Sequence, residues 1–140
     1  MSLSELLKQI LPYVLAWTRP HYLACATYEA LPYQQTASPS RLYAATLDRD
    51  GTLRSWVQAV RVATTNDGSN YWTLDLLRLD TGATLATLTT SAIAANTDTT
   101  LSALGLDVAL TASMLAVQIR ATKTGTPGAV SLLGPALWVE

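Results

Sequence analysis

The sequence predicts a mainly β protein: an antiparallel β-sandwich, jelly-roll-like, over residues 41–140, preceded by an N-terminal helix at 1–17 and an extended arm at 18–40. Three observations carry this. From Arg41 onward, short runs of alternating apolar and polar residues are separated by turns containing Gly, Asn and Asp, the pattern of an all-β sandwich. Ser2 and Glu5 stand three apart ahead of an apolar stripe, the S-x-x-E pattern of a helix start in which each side chain satisfies an unpaired backbone donor. Between these regions Pro20, Pro32 and Pro39 interrupt a stretch without clear period, and proline fixes φ and withholds a donor. A chain of 140 residues can bury one sizeable core, so a second full domain is not expected.

In the helix, Leu3, Leu7, Ile10, Val14 and Trp17 recur at alternating spacings of four and three, the a/d seam of a coiled coil about two heptads long. Leu6, Leu11 and Leu15 widen the stripe. A helix this short is marginal alone in water, so the apolar face is expected to bury itself, either on its own chain or on neighbouring copies. The seam is therefore the candidate oligomer interface. Pro12 is expected to kink or end the helix near Leu11. The arm, with Tyr22, Tyr28 and Tyr33 scattered along it, is read as extended with one short strand or helical turn, joining the helix to the body or wrapping it.

Within the sandwich, Arg41 to Leu47 is a strand, and Asp48-Arg49-Asp50-Gly51 a hairpin turn. Leu53 to Thr65 is a long strand, and Asn66 to Asn70 a second hairpin loop, since Gly68 accepts positive φ and Asn and Asp bond back to their own backbone. Tyr71 to Leu79 follows. Its Trp72, Leu74 and Leu76 share one parity and are predicted to be core, whereas Tyr71, Thr73 and Asp75 share the other and face outward. The doublet Leu76-Leu77 suggests a bulge or a switch of face. Asp80-Thr81-Gly82 turns the chain into Ala83 to Thr90. A loop with a short helix is expected between Thr99 and Ala112. Leu115, Val117, Ile119 and Ala121 then alternate with Ala116, Gln118 and Arg120, the clearest half-buried strand by pattern. Thr124 to Gly128 turns again, and Val130, Leu132, Leu137 and Val139 close the sheet.

Composition narrows the function classes. Charged residues are 14% of the chain and the net charge is −1, without the basic field of a nucleic-acid binder. The apolar stretch Ile10 to Trp17 is shorter than the roughly 20 residues of a membrane span. With Ala24-Cys25-Ala26 behind it, it resembles a signal peptide, but it lacks a basic cluster in front and contains Pro12, so retention and a soluble protein are expected. Cys25 is the single cysteine and His21 the single histidine, which exclude an internal disulfide and a multi-histidine metal site. Asp48-x-Asp50-Gly51 begins like a calcium loop but lacks its later oxygen ligands. No paired glycosidase carboxylates and no Gly-rich phosphate cradle stand out. No catalytic residue, metal or cofactor is predicted, and the protein is read as not an enzyme.

Two stretches carry a resemblance: AVRVATTNDGSNYWTLDLLRL, a strand-turn-strand, and KTGTPGAVSLLGPALWVE, a turn before two terminal strands. Together they look like the β-sandwich modules of tailed-bacteriophage virion proteins, of tail-fibre, appendage or capsid-decoration type, over residues 41–140. The resemblance implies a non-enzymatic virion component, often trimeric, that assembles with itself and with other virion proteins, and it assigns no functional residue. The virion, made in the host cytoplasm, would be its location. A carbohydrate-binding or receptor-binding module is the alternative; it would engage a host-surface glycan through Tyr71, Trp72 and Asp75, because sugar recognition needs accessible rings beside polar groups.

Overall fold

A computed structural model of the chain describes residues 2–6, 8–9, 21–23, 26–27, 33–35, 38–47, 49–132 and 134–140. After helical backbone at 3–6 and 8–9, the strands are His21–Leu23 (β1), Ala26–Thr27 (β2), Tyr33–Gln35 (β3), Ser40–Thr46 (β4), Gly51–Val62 (β5), Tyr71–Arg78 (β6), Thr84–Thr89 (β7), Thr99–Leu110 (β8), Ala116–Thr124 (β9), Val130–Leu132 (β10) and Ala136–Val139 (β11). All pairings among the described residues are antiparallel. The first sheet places β8 and then β5 beside β10 and β11, which lie end to end along β5 and are flanked by β3 and β1. The second runs β2-β4-β9-β6-β7.

The pairings are nested. β6 pairs with β7, β5 with β8, β4 with β9 and β3 with β10, so the chain forms one long antiparallel ribbon whose tip is the β6–β7 hairpin. Rolling that ribbon up brings β6 beside β9 and β5 beside β10 and β11, which makes two sheets from one ribbon. This is a jelly roll. Between the sheets lie Leu53, Trp56, Val60 and Val62 of β5, Trp72, Leu74 and Leu76 of β6, Val117, Ile119 and Ala121 of β9, and Val130, Leu132, Leu137 and Val139 of the last two strands, all buried. With no Phe in the chain, Trp56 and Trp72 are the largest buried side chains of this core.

Several expectations are corrected by this topology. Residues Asn66–Asn70 do not close a hairpin: β5 and β6 lie in different sheets, and the loop crosses between them. The segment after β4 that contains Asp50 and Gly51 is likewise a crossover rather than a hairpin turn. The short helix expected between Thr99 and Ala112 is the 12-residue strand β8, followed by a single 3₁₀ turn at Ala112–Met114. Its apolar parity switches at a register shift, where the three residues Leu53 to Ser55 of β5 span the five residues Val108 to Leu104 of β8. That bulge contains Gly105 at φ +65° and breaks the alternation that identifies a strand. Leu115 is not part of β9; it precedes the strand at φ 66° and is 60% exposed. β9 is also buried on both faces from Ala116 to Ile119 rather than half-buried. Among its described residues the 18–40 segment contributes three short strands rather than one, each paired to a sheet of the body: β1 to β11, β3 to β10 and β2 to β4.

Candidate functional site

At the N-terminus the S-x-x-E spacing forms a complete capping box. Ser2 N–H and Oγ–H donate to Glu5 Oε2 at 2.9 and 3.0 Å, Glu5 N–H donates to Ser2 Oγ at 3.2 Å, and Leu6 N–H closes the first turn on Ser2 O at 3.0 Å. The Ser2 backbone and hydroxyl bonds hold the Glu5 carboxyl below its ordinary value, because they favour the charged form. Of the candidate seam, Leu3 is 72% exposed, and Leu6 beside it is exposed too. Leu7, Ile10, Val14 and Trp17 lie outside the described residues.

The ligand candidates divide by strand parity. Trp72 is 0% exposed, and its Nε1–H donates to Gly128 O at 2.8 Å, so its ring belongs to the core and offers no stacking surface to a ligand. Tyr71 and Asp75 lie on the opposite, outer face of the second sheet and are half-buried. Register places Asp75 between Thr87 of β7 and Arg120 of β9. Thr87 Oγ1–H donates to Asp75 Oδ1 at 2.8 Å and Arg120 Nη2–H to Asp75 Oδ2 at 3.1 Å, so both carboxylate oxygens are engaged within the sheet.

One step along β6 the register shifts between Leu76 and Leu77. This bulge buries both leucines, Leu76 in the core and Leu77 opposite Gln118 of β9. An apolar side chain thereby enters the polar outer face, as the doublet predicts. Beside it a pocket of about 270 Å³ is lined by Leu77, Arg78 and Leu79, by Gly82 of the β6–β7 turn, by Gln118 and Arg120, and by Pro39 just before β4. Arg78 is held away by a bidentate pair: Nε–H and Nη2–H donate to Asp80 Oδ1 and Oδ2 at 2.9 and 2.7 Å. That partner holds the Asp80 carboxyl below the usual aspartate value. No sequence signal marks Gln118, which reads as one polar residue in an alternating strand; the Leu76-Leu77 doublet is the one local clue that its face carries an apolar wall.

The loop carrying Asp50 is structural: Asp50 Oδ1 accepts from Ala112 N–H at 2.9 Å, tying the β4–β5 crossover to the 3₁₀ turn. Among the described residues no group of three His, Cys, Asp or Glu side chains could hold a metal ion, and no helix is long and apolar enough to cross a membrane.

No protein-family model matches the sequence, and no curated protein matches it significantly. Solved structures do. The chain is similar to one in the structure of the Gx strain of infectious bursal disease virus, with a TM-score of 0.50 and 17% identity, over 87% of this chain and 32% of that one. It is similar to the VP2 subviral particle of infectious bursal disease virus with a TM-score of 0.50 and 12% identity, over 87% of this chain and 33% of that one. The chain thus spans about a third of the length of these viral proteins. What it shares with them is the fold, a β-sandwich.

Proposed function

We propose that this chain is a non-enzymatic structural component of a virion, acting by assembly with copies of itself and with other virion proteins. The observation that supports this reading is the nested-ribbon jelly roll, a fold that serves viral capsids, matched over 87% of the chain by viral particle structures. More finely, the sequence resemblance favours a tailed-bacteriophage protein of tail-fibre, appendage or capsid-decoration type, made in the host cytoplasm. The capped N-terminal helix supplies the assembly element. Its seam of Leu3, Leu7, Ile10, Val14 and Trp17 gathers three copies, and the exposure of Leu3 and Leu6 in the single chain is what a face awaiting partners presents.

Light scattering of the purified full chain tests this reading. A trimer mass is expected, with dissociation on Leu7→Glu or Ile10→Glu, each of which buries a charge in the seam. A monomer at micromolar concentration overturns the assembly role. An oligomer indifferent to removal of residues 1–17 places assembly in the sandwich and removes the role given to the helix.

A further inference from the structure

Among the described residues, β8 pairs only with β5 and β7 only with β6, so each is an edge of its sheet, and the two approach one another along one side of the sandwich. The core is thinly covered there. The six hydrophobic residues that pack on the core while staying partly exposed, Leu85, Ala86, Leu101, Ala103, Leu106 and Val108, all come from these two strands. An edge strand offers a row of unpaired backbone N–H and C=O groups, and proteins usually guard such an edge with lysine, proline, bulges or inward-pointing charges. The stretch Thr99 to Leu104, TTLSAL, contains no proline and no charged residue, and the bulge comes only at its end, around Gly105. Thr100, Ser102 and Leu104 are exposed along it, Leu104 at 69%. The one charged residue of β8, Asp107, already meets Arg54 at 2.7 Å, and β7 carries none.

We propose that this edge is a two-fold contact with a second copy of the chain, β8 adding antiparallel to β8 of its neighbour; it rests on the assembly role proposed above and gives that role a second surface. A neutral edge of hydroxyl and aliphatic side chains offers nothing to a charged partner, and antiparallel self-pairing lets one patch satisfy the backbone groups of both copies. An axis perpendicular to the sheet keeps both inner faces on the same side, so residues of like parity must face each other. The run from Thr99 to Gly105 is centred on Ser102, which sets Ser102 opposite Ser102, Thr100 opposite Leu104 and Leu101 opposite Ala103 of the other copy. The first two pairings cover the outer face, with the serine hydroxyls bonding and Leu104 packing on the Thr100 methyl, and the third closes the exposed margin of the core. At about 3.4 Å per residue the run is roughly 24 Å long, and with sheets about 10 Å apart its footprint is roughly 250 Å² per copy, well below the roughly 800 Å² of a stable interface. The contact therefore does not hold two free copies together; it joins copies already gathered. Three-fold association through the helix and a two-fold contact at the edge together extend assembly from one trimer to the next, which neither does alone.

The test traps the contact. In the full chain with Cys25→Ala, which leaves no other thiol, Ser102→Cys sets two thiols on the axis; Ser113→Cys, at an exposed position outside the strand, is the control. With oxidised glutathione at micromolar chain concentration, Ser102→Cys should form a covalent dimer at least roughly tenfold faster than the control, because the contact raises the effective concentration of the paired thiols. Adding Leu104→Lys, which puts a charge on the edge, should return the rate to that of the control while leaving the melting temperature unchanged, since this side chain already faces solvent. Hydrogen exchange of the unmodified chain gives an independent reading: amides within 99–105 should slow by about twofold or more as the concentration rises from micromolar to millimolar, and should not do so in Leu104→Lys. Equal cross-linking rates overturn the proposal and leave the edge to a strand of another protein. A fast rate that survives Leu104→Lys, or exchange indifferent to concentration, overturns it as well. Failure of the helix is a separate result: a chain that never reaches a trimer mass, yet cross-links rapidly at Ser102, keeps the edge contact and loses the three-fold one.

Discussion

The two ends of the jelly roll are closed in different ways. At one end the crossovers 63–70, 90–98 and 125–129 are locked together by polar side chains. Asn66 and Thr90 are both buried; Asn66 Nδ2–H donates to Thr90 Oγ1 at 2.5 Å, and Thr90 Oγ1 also accepts from Trp72 N–H at 2.9 Å. Gly128 N–H donates to Thr64 Oγ1 at 2.9 Å, and Thr126 N–H to Asn70 Oδ1 at 3.0 Å. At the other end the connections 47–50, 79–83 and 111–115 meet mainly through backbone bonds, such as Leu47 N–H to Leu115 O and Leu79 N–H to Ala116 O, both at 2.9 Å. Leu79 and Leu115 there are exposed, and Met114 fills the core beneath.

The interlocked end spends turn-forming residues on long-range closure. Asn66, Asp67, Gly68 and Asn70 have the composition of a two-strand hairpin, but here they are spent on holding three loops to one another. Asp67 makes its own local turn, accepting from Ser69 and Asn70 N–H at 2.7 and 2.8 Å, while Asn66 and Asn70 reach other segments. The same letters serve local and long-range closure.

The largest effect should come from Trp72, which anchors the interlocked end. Trp72→Ala should cost about 3–5 kcal/mol, the usual range for a large buried aromatic, whereas Tyr71→Ala and, at the opposite end, Leu115→Ala should each change stability much less. Urea unfolding of the three variants measures this; a Trp72→Ala protein of wild-type stability would remove the ring from the core.

Glycine substitutions probe the two ends at matched backbone geometry. Gly125 and Gly82 both sit in the left-handed region, at φ 65° and 70°. A Cβ on Gly125 would clash with Ser69 O and lie 2.6 Å from Asn70 Oδ1, while one on Gly82 meets nothing within 4 Å. Gly82→Ala should cost roughly 1–2 kcal/mol, the backbone term alone, and Gly125→Ala clearly more. Equal costs would mean that the 125–129 loop yields freely.

Asn66→Ala and Thr90→Val should each cost about 1–3 kcal/mol by leaving a buried partner unmade, and a double-mutant cycle should show coupling of about 0.5–3 kcal/mol. Additive losses would show that the bond between them contributes nothing. At the other end Leu115, at φ 66° and ψ −51°, adopts the strained geometry of a γ-turn centre. Leu115→Gly should therefore raise stability by roughly 1 kcal/mol, and a loss would assign the exposed side chain a contact of its own.

The smallest effect is electrostatic. Backbone N–H groups of Ser69 and then Asn70 hold the Asp67 carboxyl below the usual 3.8, and at the far end Arg78 does the same for Asp80. Since both folded values are lowered, each carboxylate contributes stability above about pH 3.8 that is lost as pH falls through its folded value. The causes differ, so salt separates them. At about 1 M ionic strength the Asp80 value should rise toward normal while that of Asp67 holds, because screening acts on a charge pair more than on local backbone bonds. Carbon-detected NMR titration of both groups reads this directly.

Local pattern reached far into this fold. The parity of Trp72, Leu74 and Leu76 identifies the inner face of β6, the Leu76-Leu77 doublet marks a real bulge, and Ser2 with Glu5 marks a real helix cap, because strand pleat, helix rise and capping geometry are properties of a few consecutive residues. What escaped the sequence was partner choice. Whether Asn66–Asn70 turns one sheet back on itself or carries the chain across to the other depends on how the whole ribbon rolls up, and no residue in the loop encodes that. β8 was hidden by its own bulge: the parity break at Gly105 leaves Leu101, Leu104 and Val108 at helix-like spacing, and only pairing with β5 selects the extended form. Gln118 is a further case: it reads as one polar residue of an alternating strand, yet it is buried with Leu77 of β6 opposite it, a neighbour that only the sheet pairing supplies.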